Sequence, residues 1–206
     1  MPLQALLLVA TLTAGPAPSA VRPAAVAKPA MPAWWTAFMR APALEGRFRQ
    51  ESDSAVFGKL AREGRLALAR GGRLKVSYQG GLTITCDGRH LVQYDPDTRT
   101  AQRVELARAV RDFPLLGILL DPARLDRLYR MEAYGGETLK LLPKEAGLPE
   151  LKATGRRGLL HTLEWTDPTG ARQKLELLDP RSPGSLPADT FRPQVPAGTR
   201  WSTPNG

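Results

Sequence analysis

Cysteine is almost missing from this chain: Cys86 stands alone, with no partner for an intramolecular disulfide. In Leu82-Thr83-Ile84-Thr85-Cys86 it shares a strand face with Leu82 and Ile84, the place of a small core residue rather than of a thiol nucleophile. Histidine is nearly as scarce. His90 and His161 are the two present, and neither opens a metal-ligand spacing. His161 shares a face with Leu159, Leu163 and Trp165, where a lone histidine reads as a hydrogen-bonded core residue. G-x-S-x-G, phosphate-loop and paired-cysteine motifs are lacking as well. These gaps argue against an enzyme, and no metal or cofactor is expected.

Long blocks of one charge are missing too. Lys and Arg number 29 against 20 Asp and Glu, a net charge of +9, yet no block of five or more basic residues occurs. Nucleic acid is therefore not an expected partner. The plainest reading of the scattered arginines is a solvated surface, and after it comes attraction to an anionic membrane surface. No apolar run reaches the ~20 residues that cross a bilayer. The run from Leu3 to Ala14 has the length of a signal-peptide apolar region, and either Ala17/Ser19 or Ala25/Ala27 suits a small-x-small cleavage site. The expected organisation is a signal peptide over 1–20, a Pro/Ala-rich linker over 21–32 and one domain over 33–202. No cysteine follows the leader to carry a lipid, so the mature protein is expected to be soluble, unanchored and monomeric.

What the sequence does have is alternation of period two. Leu44, Gly46, Phe48 and Gln50 alternate with Glu45, Arg47, Arg49 and Glu51. Leu66 and Leu68 share a parity with Arg70, and further runs join Leu74, Val76 and Tyr78, then Leu82, Ile84 and Cys86. Arg70-Gly71-Gly72, Gly80-Gly81 and Asp87-Gly88 supply turns, and strands over 90–94 and 100–106 continue a meander of hairpins. The pattern breaks over 107–128, which holds the most apolar stretch after the leader, from Phe113 to Pro122; it predicts short helices interrupted by a proline, with Pro114 and Pro122 each suited to a first helical position. Strands resume over 129–133, 138–142, 151–154, 159–165 and 173–178. Near the start, Trp34 and Phe38 stand four apart and predict one or two helical turns.

The fold class is mainly β (α+β), with about ten antiparallel strands and two helical segments. So little helix is scant cover for one apolar sheet face. Either the sheet closes into a barrel, or it stays a curved half-barrel under a helical lid. Both geometries leave room for a hydrophobic guest. The competing reading is a packed core with no cavity.

The order of these landmarks, from Trp34 to Trp201, resembles the LolA family, periplasmic carriers of outer-membrane lipoproteins. Leu44-Glu45-Gly46-Arg47-Phe48-Arg49-Gln50 resembles the family's first strand, and Gly64-x-Leu66-x-Leu68-x-Arg70 its second long strand. The segment from Asp87-Gly88 to Tyr94-Asp95-Pro96 resembles its most specific signature. Phe113-Pro114-Leu115-Leu116 fits the apolar central helix, and Leu139-Lys140-Leu141-Leu142-Pro143 a late strand. Two positions depart from the pattern: Gly71 stands where the family usually has proline, and Val92 where it commonly has tryptophan. The resemblance implies an incomplete antiparallel barrel with a helical lid over an acyl-binding cavity. Phe48, Leu66, Leu68, Val76, Tyr78 and Ile84 are the expected cavity residues from strands, and Phe113, Leu116 and Ile118 those from the lid. It also implies that Arg70 helps hold the lid closed until cargo arrives.

The residues support the same picture by themselves. An arginine at the apolar end of Leu66-Leu68-Arg70 needs acceptors, such as carbonyls at a helix end; otherwise it points into solvent beside Gly71. At about 0.8 kcal/mol per buried CH₂, an acyl chain of ~16 carbons resists water by roughly 10 kcal/mol or more. The expected function is a periplasmic carrier that accepts acylated lipoproteins from an inner-membrane releasing transporter and hands them to an outer-membrane acceptor. The alternatives are a carrier of another lipid on the same fold, or a sensor that binds lipoprotein or a partner domain.

Overall fold

In a computed structural model describing residues 30–112, 117, 119–120 and 125–202, the alternating segments become strands of a single sheet. In chain order the elements are α1 (Ala33–Arg40), β1 (Ala43–Ser54), β2 (Gly58–Ala69), β3 (Arg73–Tyr78), β4 (Thr83–Asp87), β5 (His90–Asp95) and β6 (Thr100–Glu105). There follow α2 (Leu106–Asp112), α3 (Leu125–Leu128), β7 (Tyr129–Ala133), β8 (Thr138–Pro143), β9 (Leu151–Arg156), β10 (Leu159–Thr166), β11 (Arg172–Leu177) and β12 (Arg200–Ser202). The spatial order is β12-β6-β5-β4-β3-β2-β1-β11-β10-β9-β8-β7. Each half is a meander, and the two halves join where β1 pairs β11, with Phe48 opposite Leu177. Among the described residues, all strand pairings are antiparallel except β12 with β6. The sheet is open, with β12 and β7 at its edges.

Among the described residues, twelve strands stand where about ten were expected. β12 is three residues paired to distant β6, a contact that leaves no local pattern. The first hairpin is also longer than its alternation suggests, with β1 reaching Ser54 and β2 starting at Gly58. Residues in this outer part lack alternation because most are exposed, and backbone pairing with β11 carries β1 as far as Asp53. A β-bulge between Leu160 and Thr162 corrects a second expectation. It shifts the parity of β10, so Leu160 rather than Leu159 joins Leu163 in the core. His161 thereby leaves the apolar stripe. Its Nδ1 lies 2.8 Å from the Leu177 carbonyl, and its Nε2 lies 3.5 Å from Glu176 Oε1.

The inward face gathers Leu44, Phe48, Leu66, Leu68, Leu74, Cys86, Leu139, Leu141, Leu151, Leu163 and Leu177 into one core cluster. The outward face carries alternating charges: register aligns Glu51, Lys174, Glu164 and Lys152 in a row across β1, β11, β10 and β9. On the other half of that outward face, Ala43 and Ala69 pack with Phe191 from the turn Ala188–Phe191. The Arg73 guanidinium sits 5.4 Å from the Phe191 ring.

Candidate functional site

The inward face changes character along its strands. At one end it is leucine-rich. Towards the other end Phe48 and Tyr78 meet edge to face with ring centres 5.4 Å apart, and Gly64 leaves the room they need. A Cβ on Gly64 would lie 2.8 Å from the Phe48 ring. The Tyr78 hydroxyl donates to Gln50 Oε1 at 3.0 Å, and burial raises its pKa above the usual tyrosine value while Arg62 pulls it back. Beyond it, Gln173 Nε2 donates to Ser52 Oγ at 2.8 Å. Apolar floor and polar mouth suit a guest with a greasy tail and a polar head.

Helix α1 covers this face. Its aromatics at i and i+4, Trp34 and Phe38, are buried with Trp35 against the sheet. Trp34 lies on Gly155 of β9, where a Cβ would come within 2.1 Å of the indole. The Trp34 indole N–H donates to the Glu137 carbonyl at 2.8 Å. At the other end of α1 stands Arg70. Its Nε donates to the Ala41 carbonyl at 2.8 Å, and its Nη2 donates to the carbonyls of Phe38 at 2.8 Å and Met39 at 2.6 Å. These carbonyls lie at the C-terminal end of α1, the negative end of its dipole, where the Phe38 carbonyl also accepts from the Ala41 N–H at 3.3 Å. The guanidinium therefore ties the end of β2 to the end of α1 and does not run into solvent.

The tie leaves little space. A cavity between Phe38, Leu44, Leu68, Arg70, Leu119 and Leu120 measures about 20 Å³. Ordinary ligand cavities start near ~300 Å³. A larger hollow of about 760 Å³ lies among Arg49, Glu51, Lys152, Glu164 and Lys174, but these belong to the charged outward row and include the Lys152–Glu164 ion pair at 3.6 Å. It is no site for an acyl chain. A further hollow of about 760 Å³ opens beside the tie, among Arg70, Gly72, Leu106, Val110 and Leu120.

Of the residues expected at the site, Phe48, Leu66 and Leu68 lie buried in the core cluster, and Val76, Tyr78 and Ile84 pack against it half-buried. Arg70 meets α1 as described. Phe113, Leu116 and Ile118 lie outside the described residues. The expectation leaves out α1 as a source of site residues, and also the inward leucines of β8 to β11. Both carry signals: the i, i+4 aromatics, and the same period-two alternation as the first half.

Tyr129, at the start of β7, is 1 % exposed, and its hydroxyl meets no hydrogen-bond partner among the described residues. Burial pushes its pKa up to about 12. The two departures noted in the sequence are also placed. Gly71 has φ +80°, which the proline ring cannot adopt, so the turn after Arg70 differs from one built on Arg-Pro. Val92 is buried on the outward parity, opposite Thr85, and does not face the acyl-sized floor.

Comparison with known proteins bears on this architecture. An outer-membrane lipoprotein carrier protein from Pseudomonas fluorescens (strain Pf0-1) is 25% identical over 121 residues, which are 56% of this chain and 59% of that protein. The chain thus spans less than two thirds of that relative's length. A conserved protein from Thermus thermophilus is 12% identical with a TM-score of 0.48, over 81% of this chain and 93% of that one. A LolA superfamily protein from Nitrosomonas europaea is 12% identical with a TM-score of 0.44, over 75% and 91%. Likeness at that level concerns general shape. The sequence pattern of the family described as outer membrane lipoprotein carrier protein LolA matches residues 40–194, three quarters of the chain and nearly all of the sheet. By that match, the open antiparallel sheet capped by α1 belongs to a member of the LolA family.

Proposed function

We propose that this protein is a periplasmic, non-catalytic carrier of acyl chains. It takes lipoproteins released from the inner membrane and delivers them to an acceptor at the outer membrane. The observation that carries this reading is the Arg70 guanidinium, which ties the end of β2 to the C-terminal end of α1 where that helix lies over an apolar face. Such a protein has two states. When α1 is closed the leucine floor is satisfied by Trp35 and Phe38; when it lifts, the same floor meets an acyl chain. Hydrogen bonds to a charged group contribute about 1.5–3 kcal/mol each. Reforming three of them offsets part of the roughly 10 kcal/mol that retains a ~16-carbon chain. Closure then helps expel cargo towards a tighter acceptor, and no nucleotide need be hydrolysed by this chain.

The test is release of newly acylated, labelled lipoprotein from spheroplasts, followed as a one-to-one soluble complex. The wild type is expected to form that complex and to pass its cargo to outer membranes. Arg70→Leu is expected to take up cargo but to retain it, with transfer slowed about tenfold or more, the equivalent of ~1.4 kcal/mol. Transfer at the wild-type rate by a folded Arg70→Leu protein rules out the latch. If the wild type releases no lipoprotein yet binds a fluorescent fatty acid, the cargo is another lipid, to be sought among molecules that copurify.

A further inference from the structure

We propose that the tip of the β1–β2 hairpin docks this protein on an anionic phospholipid bilayer. Val56 and Phe57 form that tip and are 80 % and 78 % exposed, the two most exposed large apolar side chains among the described residues. Neither is needed to make the turn. Ser54 Oγ accepts from the backbone N–H groups of Val56 and Phe57 at 3.2 and 3.4 Å, and Gly58 supplies the positive φ of +68°. Small polar residues would serve the turn as well. An adjacent pair of large apolar side chains held out in water therefore calls for a partner that is itself apolar.

The hairpin is built to reach. β3 pairs β2 only from Gly64 onward, so on that side Gly58–Glu63 run past it by roughly 20 Å at ~3.3 Å per residue, while β11 accompanies β1 as far as Asp53 and leaves the tip beyond it. Charge on this extension fits an anionic surface. Arg49 lies between Glu51 and Glu63, at 2.9 and 4.0 Å, and Arg172 pairs with Asp53 at 2.9 Å. Lys59 and Arg62 are exposed and have no carboxylate partner among the described residues. Unpaired cations beside an apolar tip bring the protein to acidic headgroups and let the tip enter the acyl boundary. Leu60, 55 % exposed, has the same parity as Leu66 and Leu68, with Arg62 and Gly64 between them. This goes beyond the carrier reading, and cargo-free protein tests it.

The experiment is flotation of the purified protein with vesicles of phosphatidylethanolamine and phosphatidylglycerol, against vesicles of phosphatidylcholine. A parallel series uses Phe57→Cys labelled with an environment-sensitive fluorophore, which spares Cys86 because it is 0 % exposed. The wild type is expected to float with the anionic vesicles, less so as salt is raised, and the label to shift to the blue. Val56→Asp combined with Phe57→Asp is expected to weaken partitioning about tenfold or more, with an unchanged melting curve. Lys59→Glu with Arg62→Glu is expected to remove the preference for anionic lipid. A wild type that floats with neither vesicle overturns the proposal, as does a double-aspartate variant that floats undiminished. A wild-type dimer that the double-aspartate variant breaks, with no vesicle binding, replaces the bilayer by a second copy of this chain.

Discussion

Two side chains carry more consequence than their neighbours. Arg70 ends a strand on the apolar parity, and its three hydrogen bonds turn a solvation problem into a tie between β2 and α1. Tyr129 is the opposite case, a buried hydroxyl with no acceptor among the described residues and a pKa pushed to about 12. Below pH 10 the phenol is protonated in both the folded and the unfolded chain. Between the ordinary value of 10 and the folded value near 12, the unfolded chain sheds the proton while the folded chain keeps it. Stability therefore falls as pH rises through that window, by an amount on the order of 2–3 kcal/mol. Tyr129→Phe is expected to flatten that decline and to raise stability near neutrality by about 1 kcal/mol. Urea unfolding followed across the alkaline range checks it; an equal decline in the variant would assign the effect to other groups.

At the scale of elements, α1 is the part poised to move. It is eight residues long, too short to be stable alone, and it is helical because the sheet receives Trp34, Trp35 and Phe38. Its seat is shaped by one missing side chain, Gly155. Gly155→Ala would set a Cβ against the Trp34 ring, and the indole also holds the Glu137 carbonyl, so the ring has no easy retreat. The variant is expected to lose about 1–3 kcal/mol, read as a lower melting temperature, and to expose its helix tryptophans, read as a red-shifted emission. Unchanged emission and melting would mean that α1 is seated by Arg70 alone.

For the whole molecule, an open sheet and a closed cover have a kinetic consequence. With Trp34, Trp35 and Phe38 of α1 seated in the core cluster, an acyl chain that is to take their place on the leucine floor is expected to wait for α1 to lift. The observed association rate of a fluorescent fatty acid is expected to level off as its concentration rises, at the rate of opening. Arg70→Leu should raise that plateau. A rate that grows in proportion to concentration throughout would mean that chains enter without waiting for the cover.

The alternation of Leu44, Phe48, Leu66, Leu68, Leu74 and Val76 is enough to read a large antiparallel sheet, because parity along a strand is a local property of the chain. So are the glycine turns, the helix at Trp34 and Phe38, and the family. The outer half of the first hairpin stays hidden, since none of its side chains is buried and no apolar alternation marks it. The bulge at His161 is hidden too: one extra residue reverses parity without any mark in composition. Tertiary structure alone decided that β1 meets β11, that β12 meets β6, and that Gly155 makes room for Trp34. It also decided which way Arg70 turns. A sequence states that an arginine needs acceptors, but only the packing of α1 across the sheet brings three carbonyls within reach of that one guanidinium.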